Sequence, residues 1–116
     1  MQLENITYED SKFNLLVNRY QDTKAIAIMI QEVGVDYCEP VTENTLPDED
    51  ELFENEIDSE LVAIPVDSFE LVNTLIAYGL IEKGPEIVNF FEGVYFYKPT
   101  QDLLNYMEEL KSKHNK

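Results

Sequence analysis

Apolar residues fall into alternating runs in the first part of the chain and into helical spacing in the second. Ile6–Tyr8 and Phe13–Tyr20 read as two short strands with a turn at Glu9–Lys12. In the longer run Phe13, Leu15 and Val17 share one face with Arg19, while Asn14, Leu16 and Asn18 share the other with Tyr20. Gln21–Thr23 predicts a turn and Ala25–Gln31 a third strand. Its alternation sets Ile26, Ile28 and Ile30 on one side, and these are the expected anchors of the core. Gly34 marks another turn, and a more polar strand is expected from Tyr37 to Thr45, interrupted early by Pro40.

Leu46–Glu60 breaks the pattern, with Pro47 at its head, many acids and no glycine, and reads as an acidic connecting segment. Leu61–Ile64 is a short apolar strand expected to stop at Pro65. Asp67 is then placed to cap a helix, with Glu70 three residues on as in a capping box. Phe69, Val72, Leu75 and Ile76 recur at helical spacing and Gly79 is a natural helix end. Gly84–Pro85 predicts a turn, and Ile87–Phe91 and Val94–Tyr97 predict strands joined through Glu92–Gly93. Thr100 caps a last helix whose stripe is Leu103, Leu104, Met107 and Leu110. Lys111, Lys113 and Lys116 stand at its end, where the helix dipole favours cations. Strands, helix, two strands and helix in that order predict a single α+β domain over 1–116. Its expected form is a mainly antiparallel sheet of about five to seven short strands, with two helices packed on one face.

Charge changes the picture more than composition does. Hydrophobic residues make up 44% of the 116, so the chain is expected to fold despite a net charge of −16. From Ala25 to Glu82 there are fifteen carboxylates and neither lysine nor arginine, and ten of those acids lie between Glu39 and Glu60. Such a surface repels nucleic acid and anionic membrane and attracts a basic partner. Cys38, the single cysteine, has no internal disulfide partner, which fits a reducing compartment. Residues 1–24 lack the basic start and apolar centre of a signal peptide, and no apolar run nears the ~20 residues of a membrane span. The expectation is a soluble cytoplasmic protein.

A catalytic constellation is missing from the sequence. His114 is the sole histidine and stands among lysines near the end of the chain, as a tail residue would. Cys38 has no nearby histidine to activate it and is expected in the core. The four glycines are scattered singly, so there is no phosphate loop, and zinc would find too few sulfur and nitrogen ligands. Asp48, Asp50 and Glu51 suggest a calcium loop until Leu52 and Phe53 occupy the positions that demand an oxygen ligand and glycine. A carboxylate–metal nuclease is the strongest enzymatic alternative. It would want a lysine beside the acids, which the run from Ala25 to Glu82 lacks, and an approach to a polyanion, which the net charge opposes. The expectation is therefore no enzyme, no cofactor and no metal site.

Glu54, Glu56, Asp58 and Glu60 occupy every second position. In an extended chain they would line one face ~6.6 Å apart, a spacing able to enter a groove shaped for phosphates. In a helix they would spread around the axis. A solvated, aggregation-resistant edge is the plain alternative. With no base to intersperse, Glu49, Asp50, Glu54, Glu56, Asp58 and Glu60 are the expected partner contacts. Phe53, Tyr78, Tyr95 and Tyr97 are available as aromatic anchors, with packing in the core or sheet the first expectation for each.

Glu39-Pro40-Val41-Thr42, then Leu46-Pro47 and acids, then a strand leading from Ile64 to an Asp67-started helix, form an ordered set. Gly79-Leu80 and the aromatic strand Gly93-Val94-Tyr95-Phe96-Tyr97 complete it. Over roughly Glu39–Pro99 this pattern resembles a family of uncharacterised small acidic proteins carried by bacterial conjugative elements, plasmids and phages. That family's Gly-Arg turn after the helix appears here as Glu82-Lys83-Gly84-Pro85. No active residue is assigned in the family, so none carries over. The resemblance implies a setting in the cytoplasm of a bacterial host. It also implies a role similar to that of anti-CRISPR or anti-restriction inhibitors. The partner would be a basic nucleic-acid-binding protein such as a CRISPR effector or restriction enzyme, with no direct binding of nucleic acid or membrane. An accessory or scaffold protein of conjugation or phage replication is the alternative.

Overall fold

The computed structural model describes residues 3–54, 60–89 and 92–114. Four antiparallel strands come first: β1 (Ile6–Tyr8), β2 (Ser11–Arg19), β3 (Ile26–Glu32) and β4 (Cys38–Pro40). A short helix α1 (Glu49–Glu54) precedes β5 (Val62–Pro65), a 3-10 turn at Val66–Ser68 and helix α2 (Phe69–Ala77). Strands β6 (Ile81–Asn89) and β7 (Val94–Pro99) and helix α3 (Gln101–His114) follow. The fold is α+β, and its seven antiparallel strands are divided between two sheets, of order β1-β2-β3-β4 and β5-β7-β6.

Alternation in the first sheet runs as the sequence predicts. Leu15 pairs with Ile30 and Val17 with Ile28, so one face of β2 and β3 is apolar. Ile26, Ile28 and Ile30 are buried there with Leu15, Val62, Ile64, Val72, Leu75 and Leu103. Leu104, Tyr106 and Met107 of α3 and Leu71 and Ile76 of α2 pack on the same cluster. The opposite faces of β5 and β7 build a second cluster from Leu61, Ala63, Ile87, Val94 and Phe96, against which Leu52 of α1 packs.

The β1–β2 turn is tighter than Glu9–Lys12. Tyr8 pairs with Ser11, leaving a two-residue loop in which Glu9 and Asp10 both hold positive φ (50° and 63°). That geometry matches the twist of a hairpin. Strand β4 is shorter than Tyr37–Thr45 and reaches only Pro40, opposite Met29. Beyond it the Val41 N–H still donates to Ile28 O (2.8 Å), but the Ile28 N–H donates to the Thr42 hydroxyl (3.1 Å). A side chain thus replaces the ladder. Glu43 N–H next donates to Ala63 O of β5 (2.9 Å), so residues 41–43 join the two sheets.

Strand β5 stops at Pro65, its last residue, which pairs with Val94. Two further local expectations change. Asp67 falls in the 3-10 turn, Ser68 takes the N-cap position of α2, and no side chain caps the helix, so the capping box does not form. Gly84–Pro85 is not a turn but an irregularity within β6: register shifts on both sides of Pro85, and Gly84 carries φ +87°. The other end of α2 matches its expectation. Gly79, at φ +78°, donates to Ile76 O (3.1 Å), and Leu80 donates to Leu75 O (2.9 Å), the paired bonds of a Schellman end. Thr100 caps α3 by accepting from Leu103 N–H (3.1 Å), and its hydroxyl donates to Gly79 O.

Burial raises the Tyr97 phenol above its ordinary range, and burial followed by the Glu9 and Glu70 charges does the same for Tyr8. A folded phenol that holds its proton more tightly than the unfolded one adds stability below the unfolded pKa of about 10, lost as pH rises through the folded value. The denaturation midpoint is expected to fall above pH about 10, and Tyr97→Phe should shrink that fall. Among the described residues no helix is long and apolar enough to cross a membrane.

Candidate functional site

The acidic segment is not one extended row. Asp48 O accepts from Leu52 N–H (3.1 Å) as the chain enters α1. Acids in a first helical turn are favoured by the dipole, and Leu52 fixes the helix to the second core cluster. Glu49 and Asp50 are exposed on α1, and Glu54 is its last residue, so the alternation that begins at Glu54 does not begin in a strand. Glu56 and Asp58 lie outside the described residues. Glu60, just before β5, faces Arg19 of β2. Its carboxylate takes two hydrogen bonds, from Nη1 (3.0 Å) and Nη2 (2.9 Å) of the guanidinium. Arg19 Nη1 also donates to Lys24 O (2.9 Å). The Glu60 hydrogen bonds hold the guanidinium proton above its usual range.

This bidentate contact is an ion pair between two side chains that are each more than a third exposed. Of the carboxylates from Ala25 to Glu82, every one whose side chain is described is exposed: all but Glu51, Glu54, Glu56 and Asp58. Within this segment Glu60 is the carboxylate seen to meet a cation, and that cation, Arg19, comes from outside it. Among the described residues no three His, Cys, Asp or Glu side chains converge as a metal site requires.

The aromatic candidates separate. Tyr97 is buried, Tyr95 is half-buried, and their rings stand 6.5 Å apart. Tyr78 is exposed, yet its hydroxyl accepts from Thr7 N–H (3.0 Å), tying α2 to β1. Phe53 departs from the packing expectation: it is 86% exposed on α1. Cys38 also departs, lying half-buried on β4 rather than in the core. A cleft of about 360 Å³ between β2 and α3 is lined by Val17, Arg19, Met107, Glu108 and Lys111, with its guanidinium already committed to Glu60.

Glu32 and Tyr37 are not picked out as site residues by the sequence, and Glu39 only as the start of the Glu39-Pro40 pattern. The signal was in the phase of β3: Glu32 continues the alternation of Ile26, Ile28 and Ile30, which puts a carboxylate on the core-side face.

No family model matches the chain, and comparison with curated proteins and with solved structures finds no match either.

Proposed function

We propose that this protein is a non-enzymatic inhibitor carried by a mobile element, acting on a host defence protein that binds nucleic acid. It works as a nucleic-acid mimic, presenting carboxylates where that protein takes phosphates. A CRISPR effector is the first target class and a restriction enzyme the second. One observation carries the reading: a run of fifteen acids without an interspersed base, from Ala25 to Glu82, exposed wherever its side chains are described. A merely solubilising surface mixes both signs. Glu49, Asp50, Glu54, Glu56, Asp58 and Glu60 remain the proposed contacts, with Glu60 held in place by Arg19.

The test is capture of partners from host lysate, eluted in steps of salt. A basic nucleic-acid enzyme released at moderate salt and displaced by its own DNA or RNA is the expected result. Glu49→Lys with Asp50→Lys, both exposed on α1, should weaken that partner about tenfold or more and flatten the salt dependence. Full affinity in the double variant would defeat the mimic reading. Phe53 favours a second reading, an accessory scaffold of conjugation or phage replication, because an aromatic side chain exposed to 86% is an anchor that salt does not screen. A partner that survives high salt and is lost with Phe53→Ser would select it.

A further inference from the structure

The end of the first sheet, where β3 turns into β4, carries a small groove of about 140 Å³ lined by Phe13, Ile30, Glu32, Val35, Tyr37 and Glu39. Its construction follows from register. Phe13 lies opposite Glu32, and Ile30 lies opposite Glu39, so these four side chains share the face that buries Leu15 and Ile28 further along. Here the two acids are exposed. On neighbouring antiparallel strands they are diagonal neighbours, about 7–8 Å apart. Two like charges at that separation repel, and no lysine or arginine lines the groove between them. Lys12, the nearest cation along the chain, has the opposite parity to Phe13 and donates to Thr7 Oγ1 (2.8 Å).

The remaining wall is aromatic and held in position. Tyr37 is 63% exposed, and its hydroxyl donates to Glu39 Oε1 (3.0 Å). The turn that brings Val35 over the groove is fixed by Val33 N–H to Lys12 O (3.0 Å), Val35 N–H to Glu32 O (3.1 Å) and Gln31 Nε2 to Val35 O (2.7 Å). Apolar floor, exposed ring and paired carboxylates are the complement of one side chain. We infer that this groove is a slot for an arginine of the protein partner. The aliphatic stem lies over Phe13, Ile30 and Val35, the guanidinium plane stacks on Tyr37, and its fork spans Glu32 and Glu39. Arginine fits better than lysine, because only a planar fork can stack on the ring and reach both carboxylates. The assignment deepens the reading of a basic partner and rests on it for the source of the arginine, but the slot is testable without that partner.

The probe is acetyl-Gly-Arg-Gly-amide, titrated into the purified full chain and followed by amide NMR, beside the same peptide with citrulline or lysine. Saturable shifts at Phe13, Ile30, Glu32, Tyr37 and Glu39 with arginine, weaker with lysine and absent with citrulline, are expected. Glu32→Gln with Glu39→Gln should weaken the arginine peptide about tenfold, and Tyr37→Leu several-fold. All three positions are exposed, so the fold is expected to survive, and the unchanged remainder of the spectrum will report it. Equal shifts with citrulline, or shifts spread evenly over Glu43 to Asp50, would overturn the slot. The captured partner separates the two claims. If it binds the Gln variants as tightly as the parent, the slot is wrong and the inhibitor reading stands. If the arginine peptide fills the slot but no basic partner is captured, the slot stands and the inhibitor reading falls.

Discussion

Phe96→Ala is expected to destabilise the protein by about 3–5 kcal/mol, the usual cost of removing a fully buried aromatic ring. Phe96 is 0% exposed and sits on β7, the central strand of its sheet. It pairs with Ala63 on one side and Ile87 on the other. Its cluster is small, formed with Leu61, Ala63, Ile87 and Val94, so few side chains can move in to fill the space. Domains of this size are stable by only about 5–15 kcal/mol in all, and the self-repulsion of a net charge of −16 acts against compaction. The variant should therefore lose much of its cooperative transition at room temperature. Phe96→Leu leaves most of the volume in place and should recover over half of the loss. Urea denaturation of the three proteins measures this. A loss under about 1 kcal/mol for Phe96→Ala would mean that this face of β7 is not a packed core.

Thr42→Val should cost about 1–3 kcal/mol although it keeps the size of the side chain. Thr42 is 5% exposed, and its hydroxyl closes a small circuit. It accepts from Ile28 N–H (3.1 Å) and lies 3.1 Å from the Tyr20 hydroxyl, which in turn donates to Thr42 O (3.0 Å). Valine leaves the buried Ile28 N–H without its acceptor, and that desolvated donor is the source of the cost. Thr42→Ser keeps the oxygen and gives up a methyl group, so it should cost less than Thr42→Val. Amide exchange at Ile28 should quicken in the valine variant and not in the serine one. The reverse order of stabilities would show that the methyl, not the hydroxyl, holds the joint between the sheets.

Residues whose role is set by near neighbours were legible in the sequence. The phase of Ile26, Ile28 and Ile30, the helix end at Gly79 and the cap at Thr100 each follow from spacing or from one residue's conformational preference. Gly84–Pro85 misleads because a glycine at positive φ before a proline serves a turn and a bulge equally well. Asp67 misleads because the 3-10 turn puts Ser68 at the helix start. The candidate site was less legible. Glu60 meets Arg19 across forty-one positions, a contact with no local signal. Alternation from Glu54 to Glu60 reads as a strand only if the chain is extended, and α1 makes Glu54 helical. Glu32 was readable in principle: an acid in phase with three isoleucines is out of place on a buried face unless that face ends there.

The isoleucine face of β3 also bears on synthesis. Its cover includes Leu103, so a growing chain makes this apolar surface early and completes its cover only when the last helix emerges. During that interval the surface could join two unfinished chains. The residues translated next are the acids from Glu39 to Glu60, which give every nascent copy the same strong charge. Chains on neighbouring ribosomes then repel one another while their sheets are still bare. The acidity would guard the protein's own assembly before it met any partner.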